Sequence, residues 1–141
     1  MADFHHELTI SNDLAYLSQI RDVVSYAVRE GGFPPNYVNR LQIAVDEAVT
    51  NIIEHGYAGS QRGQGTIWLT IDTNSDTFRI EISDNGQTFD PNTLSDVDIA
   101  SHVQTSSTGG LGVFLMRKIM DVVDYRFEAG IRNRLVLVKN R

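Results

Sequence analysis

Three short stretches of the chain hold residue types that do chemistry. In "DEAVTNIIEH", Asp46 to His55, the polar residues Glu47, Asn51 and His55 follow one another at intervals of four. In "ISDNGQTFDP", Ile82 to Pro91, an alternating apolar run ends in Asp84, and Gly86 follows two residues later. In "TGGLGVFL", Thr108 to Leu115, Gly109, Gly110 and Gly112 open an apolar, helix-like segment. Residues four apart share a helix face, drifting by about 40° per step, so the first stretch forms a polar stripe beside an apolar one. A carboxylate at a strand end only accepts hydrogen bonds. That suits an exocyclic amine such as adenine's, with glycine letting a flat ligand lie against backbone. A helix N-terminus presents free N–H groups and a partial positive charge, which bind phosphate.

Each stretch also has a plainer reading. The polar stripe is then a solvated edge of an amphipathic helix, Asp-Asn-Gly is a strand-ending turn, and the glycines are a flexible helix entry. The glycine segment is not a Walker loop, because the Gly-Lys-Ser/Thr ending is missing, and it is not G-x-G-x-x-G after a strand.

The elements that must position these residues are legible from periodicity. "FHHELTI" reads as a short strand. "SNDLAYLSQIRDVVSYAVREGG" reads as a helix capped by Ser11 or Asn12. Leu14, Leu17, Ile20, Val24, Ala27 and Val28 form its apolar stripe, and Gly31-Gly32 stops it. The second helix follows Pro34-Pro35 and ends at Gly56. Its core side is Leu41, Val45, Ala48 and Ile52, flanked by Ala44 and Val49. "GTIWLTIDT" and "TFRIEISD" alternate as a hairpin about a Thr73–Asp76 turn. Trp68 lies opposite Ile67 and Leu69, partly exposed. Asp90 to Thr108 is a long polar segment, in which Asp90-Pro91 suits the start of a short helix. "LGVFLMRKIMD" is a third helix, with Met116 and Met120 in the core, and two strands around "VVDYRFEAG" and "RLVLVKN" close the chain. Strands arriving mostly as hairpins predict an α+β two-layer sandwich: a mixed, mostly antiparallel sheet covered on one face by helices. A doubly wound dinucleotide fold would alternate strand and helix.

Bulk properties narrow the function classes. The 141 residues fit one domain, taken as 1–141. Hydrophobic content of 41% and charged content of 21% are those of an ordinary folded chain. No run approaches the roughly 18 to 20 apolar residues of a membrane span, and "MADFHHELTI" does not read as a signal peptide. There are no cysteines, which excludes disulfides, thiolate metal sites and cysteine nucleophiles and fits a cytoplasmic protein. With a formal charge of −6 and no Lys/Arg cluster, direct nucleic-acid binding is not expected.

Taken in order, the three stretches resemble the N, G1 and G2 boxes of the GHKL (Bergerat-fold) ATPases, the histidine-kinase-like superfamily. In detail they resemble the bacterial anti-sigma factor serine-protein kinases. "EAVTNIIEHGY" is similar to their N box, "DNGQTFDP" to their D-x-G-x-x-F-D form of G1, "GGLGVFLMRKIMD" to G2 and "NRLVLVK" to their closing strand. Other superfamily members usually carry a second glycine where this chain has Thr88.

The resemblance implies that Asn51 gives an oxygen to Mg²⁺ and that Glu47 is the general base. It implies that Asp84 reads adenine N6 with Gly86 opening the floor, and that Thr108, Gly109, Gly110, Leu111 and Gly112 line the ATP phosphates under a lid of about 90–108. Mg²⁺ takes hard oxygen ligands, few of them from protein, which agrees with a single asparagine. The implied activity is transfer of the γ-phosphate of MgATP to a serine of an anti-anti-sigma antagonist protein, combined with sequestration of a sigma factor, in a homodimer. The alternatives are a non-catalytic, nucleotide-dependent protein-binding module and a stand-alone ATPase. His55 fits a helix-terminal cap as well as a site role. Thr105, Ser106 and Ser107 fit phosphate donors as well as plain loop. His102 and the pair His5-His6 lack metal-ligand spacing.

Overall fold

The computed structural model describes residues 4–56, 65–86, 115–128 and 132–141. Five strands and two long helices organise them: β1 (Phe4–Ser11), α1 (Leu17–Gly31), α2 (Val38–Asn51), β2 (Thr66–Thr73), β3 (Thr77–Asp84), β4 (Val122–Glu128) and β5 (Arg132–Asn140). Residues 115–119 are helical, where the third helix is expected. The strands form one sheet in the order β1-β2-β3-β5-β4, and all four pairings are antiparallel. The chain is therefore an α+β sandwich. Asn74 makes the β2–β3 turn, its side-chain oxygen accepting from the N–H groups of Asp76 and Thr77, both at 2.9 Å.

Alternation along the strands separates two faces. Ile67, Leu69 and Ile71, then Phe78, Ile80 and Ile82, then Leu135 and Leu137 point to the helices and are almost wholly buried. Against them pack Ile20, Val24, Ala27 and Val28 of α1 and Leu41, Ala44, Val45, Ala48 and Val49 of α2. Each Val, Leu, Ile or Phe among these contributes roughly 1.5–3 kcal/mol by leaving water, so the sheet and both helices are held as one body. Met116 and Met120 join this core, as their spacing indicates. The opposite face is polar and charged. Trp68 lies there, half-buried, with the Arg132 guanidinium 4.0 Å above its ring.

Two expectations for α1 need correction. Leu14 is 45% exposed and is not in the core, because the chain enters through a 3-10 turn, Leu14–Tyr16, whose tighter winding shifts the helical stripe. The cap is Asp13, which accepts from Ala15 N–H at 2.9 Å. Asn12 is instead buried and accepts from Gly65 N–H at 2.9 Å. The C-terminus is as expected. Gly32 takes the left-handed cap conformation at φ 79°. A β-carbon on Gly31 would meet Thr73 at 2.7 Å, so this glycine lets α1 close directly onto β2.

Candidate active site

The second helix brings Glu47 and Asn51 together on one turn. Its apolar side is fixed by the sheet, so the adjoining stripe is carried partly inward rather than into solvent. Asn51 is 1% exposed, and among the described residues neither its Oδ1 nor its Nδ2 has a hydrogen-bond partner. Buried polar groups are almost always paired, and an unpaired one costs about 1–3 kcal/mol. The chemistry of such an amide oxygen fits a magnesium ion, which takes few protein oxygens. Glu47 is half-buried and has no hydrogen-bond partner among the described residues. Burial pushes its carboxyl above the ordinary range, and the neighbouring charges of Asp46 and Glu54 push it the same way. Asp46 is itself drawn to α1 by Arg21, with Nε to Oδ2 at 2.6 Å.

Beyond Asn51 the helix continues as a π turn, Ile52–Gly56. The side chain of His55, for which the sequence leaves a cap and a site role open, lies outside the described residues.

The second wall lies at the end of β3. Asp84 shares the parity of Ile80 and Ile82 and points to the helix-covered side, 4% exposed. Its Oδ1 accepts from Gly86 N–H at 2.9 Å and from Asn133 Nδ2 at 3.1 Å. Asn133 stands directly opposite in the β3–β5 register, and its amide also donates to the Gly86 carbonyl at 3.0 Å. Burial raises the Asp84 carboxyl above its usual range, and the donations from Asn133 and Gly86 oppose that rise. No local motif singles out Asn133, and only its pairing across the sheet reveals it. Asp84 and Gly86 are joined in one network, as the strand-end turn requires. Thr108, Gly109, Gly110, Leu111 and Gly112, and the 90–108 segment, lie outside the described residues.

Among the described residues, α2 thus carries an unpaired amide at Asn51 and an undonated carboxylate at Glu47, and the end of β3 carries a fixed acceptor at Asp84. The family profile of the histidine kinase-like ATPase domain spans residues 10–139, and the chain belongs to that family. Its relatives include the serine-protein kinase RsbW of Listeria monocytogenes, 31% identical over 137 residues that cover 93% of this chain and 86% of the relative. RsbW of Halalkalibacterium halodurans is 30% identical over 129 residues, covering 89% of this chain and 77% of the relative. Within the family, the chain thus groups with the RsbW serine-protein kinases. The fold matches the RsbU and RsbW domains of a Mycobacterium tuberculosis protein with a TM-score of 0.63 at 15% identity, over 97% of this chain and 32% of that one. It matches the SiaB–SiaC complex of Pseudomonas aeruginosa with a TM-score of 0.60 at 11% identity, over 95% of this chain and 88% of that one.

Proposed function

We propose that the chain, read as one ATPase domain over 1–141, is a cytoplasmic serine-protein kinase and anti-sigma factor. It transfers the γ-phosphoryl group of MgATP to a serine of an anti-anti-sigma antagonist and, in its other state, sequesters a sigma factor. The observation that carries this reading is the unpaired, buried side chain of Asn51 one helical turn from Glu47. Asn51 Oδ1 would hold Mg²⁺, which when bound offsets the charge of the phosphates. Glu47 takes the proton from the serine hydroxyl as its oxygen bonds to the γ-phosphorus. The bond from that phosphorus to the β,γ-bridging oxygen breaks, and ADP leaves. A carboxylate raised above its ordinary range is better matched to that proton than an ordinary one. A pure binding module has no use for such a base. Asp84 accepts from adenine N6, with Gly86 as the floor, and Thr108, Gly109, Gly110, Leu111 and Gly112 line the phosphates.

The homodimer belongs to the same reading. Supporting it is a groove of about 410 Å³ beside β1, the terminal strand of the sheet, lined in part by His6, Asp22, Tyr26 and Arg29. Asp22 and Arg29 have no ion-pair partner among the described residues, and Tyr26 between them is 50% exposed. Two copies of α1 packed antiparallel set Asp22 of each against Arg29 of the other, as an isologous contact requires.

The test is phosphotransfer from γ-labelled MgATP to the host's small antagonist-like proteins, with Glu47→Gln alongside. Label on a serine, lost in the variant, is the expected result. Nucleotide-dependent capture of a partner without label would instead establish a binding module.

A further inference from the structure

We propose that Asn133 makes the base pocket selective for adenine over guanine, by holding Asp84 as a pure hydrogen-bond acceptor. The inference rests on the reading that Asp84 faces the base. It deepens that reading by adding a residue on β5 that acts through Asp84 and is a positioning residue.

The geometry allows only one orientation of the Asn133 amide. Its nitrogen lies 3.1 Å from Asp84 Oδ1 and 3.0 Å from Gly86 O. Both of these are acceptors, so the NH₂ group must face them, and a flipped amide would set its carbonyl oxygen against a carboxylate and a carbonyl. Asn133 is 9% exposed, which leaves water little room to take over either bond. With Gly86 N–H at 2.9 Å, Oδ1 of Asp84 receives two donors. Oδ2 receives none among the described residues and is the atom left for a ligand.

Adenine presents an amino donor at its six position, where guanine presents a carbonyl acceptor. An ionised carboxylate accepts from the first and repels the second. A protonated one can donate, and so can bind guanine O6. The site therefore discriminates only while Asp84 stays ionised. Burial favours its protonated form, and Asn133 and Gly86 oppose it. Without the Asn133 donor, Asp84 takes up a proton more readily and is free to rotate. Both changes erode the distinction between the two purines.

The experiment is calorimetric titration of the full chain with ATP and with GTP, each with Mg²⁺, at several pH values. The wild type is expected to prefer ATP. Asn133→Leu is expected to shrink the ATP/GTP affinity ratio by about tenfold, which is about 1.4 kcal/mol. Asn133→Asp, which places a second carboxylate against Asp84, should shrink it further, with the preference returning as pH rises. Asn133→Ser keeps a small donor and should retain most of the ratio, so the Asp and Ser variants decide the matter if the Leu variant does not fold. Equal weakening of ATP and GTP, or an unchanged ratio in the Leu and Asp variants, overturns the role of Asn133 while leaving Asp84 as the base reader. A wild type without ATP preference overturns the Asp84 reading itself, and this inference with it.

Discussion

Glu47 and Asp84 are both carboxylates drawn out of water, and both hold their protons more tightly than usual, yet their surroundings are opposite. Around Glu47 the charges are acidic, from Asp46 and Glu54, and no donor among the described residues reaches it. Around Asp84 two donors converge on one oxygen. The neighbouring amides differ in the same way. Asn51 is buried with both polar atoms unpaired among the described residues, whereas Asn133 bonds both Asp84 and Gly86. In the proposed site, the helix side is incomplete and would take a cation and a proton, and the strand side is complete and would hold a shape. Unmet valence and rigid placement then fall to separate elements.

The sharpest way to break the comparison is catalytic. Glu47→Gln is expected to cut phosphotransfer by roughly 10²–10⁴-fold while nucleotide affinity, read by calorimetry, stays near the wild-type value. Asp84→Asn should do the reverse, losing affinity first. If both variants lose only catalysis, the two walls do not divide the work.

Stability offers the next test. Asn51→Leu removes an unpaired buried amide and should raise unfolding free energy by about 1–3 kcal/mol, while Asn133→Leu removes a donor from a buried carboxylate and should lower it by a similar amount. Denaturant midpoints of the two variants on opposite sides of the wild type are the expected result, with Mg²⁺-dependent nucleotide binding lost in the first.

The pH dependence has a definite sign. Both carboxyls are raised in the folded state, so their contribution to stability is complete below the ordinary carboxylate range and is lost as pH rises through their raised values. Glu47→Gln and Asp84→Asn should therefore gain stability over the wild type at neutral pH, with the gap closing in acid. Phosphotransfer should run the other way, rising with pH as Glu47 ionises, with its acid limb above the usual carboxylate range.

A charge exchange probes the dimer. Asp22→Arg or Arg29→Asp alone should weaken association in sedimentation experiments, and the pair together should restore it; unaffected association would place the contact elsewhere. The smallest effect belongs to the polar sheet face, where Glu81 lies 3.6 Å from Arg79 and 3.9 Å from Arg134. Glu81→Ala should change stability by no more than about 1 kcal/mol and leave phosphotransfer unchanged.

Much of this was legible in the sequence, for physical reasons. The strands alternate cleanly because one face is buried, and the core stripes of both helices emerge from the same cause. The helix pair Glu47 and Asn51 and the strand-end Asp84 could be found because their spacing is local. Asn133 could not, because its partner is 49 residues away and only the antiparallel β3–β5 register sets them side by side. Leu14 misleads because its hydrophobicity fits the helical period, and the 3-10 entry that turns it outward leaves no periodic trace.

The change of winding after Asn51 has an evolutionary consequence. A π turn closes its ring over one more residue than the α-helix that precedes it, so Ile52–Gly56 is a place where the chain can lose a residue without breaking the helix. Such a deletion would swing the outgoing chain by about 100° and leave Glu47 and Asn51 untouched. Length variation among relatives is expected to collect there, as single-residue gaps just after an unchanged asparagine. The outgoing chain can then diverge in direction, and with it in partner, while the chemistry is inherited intact.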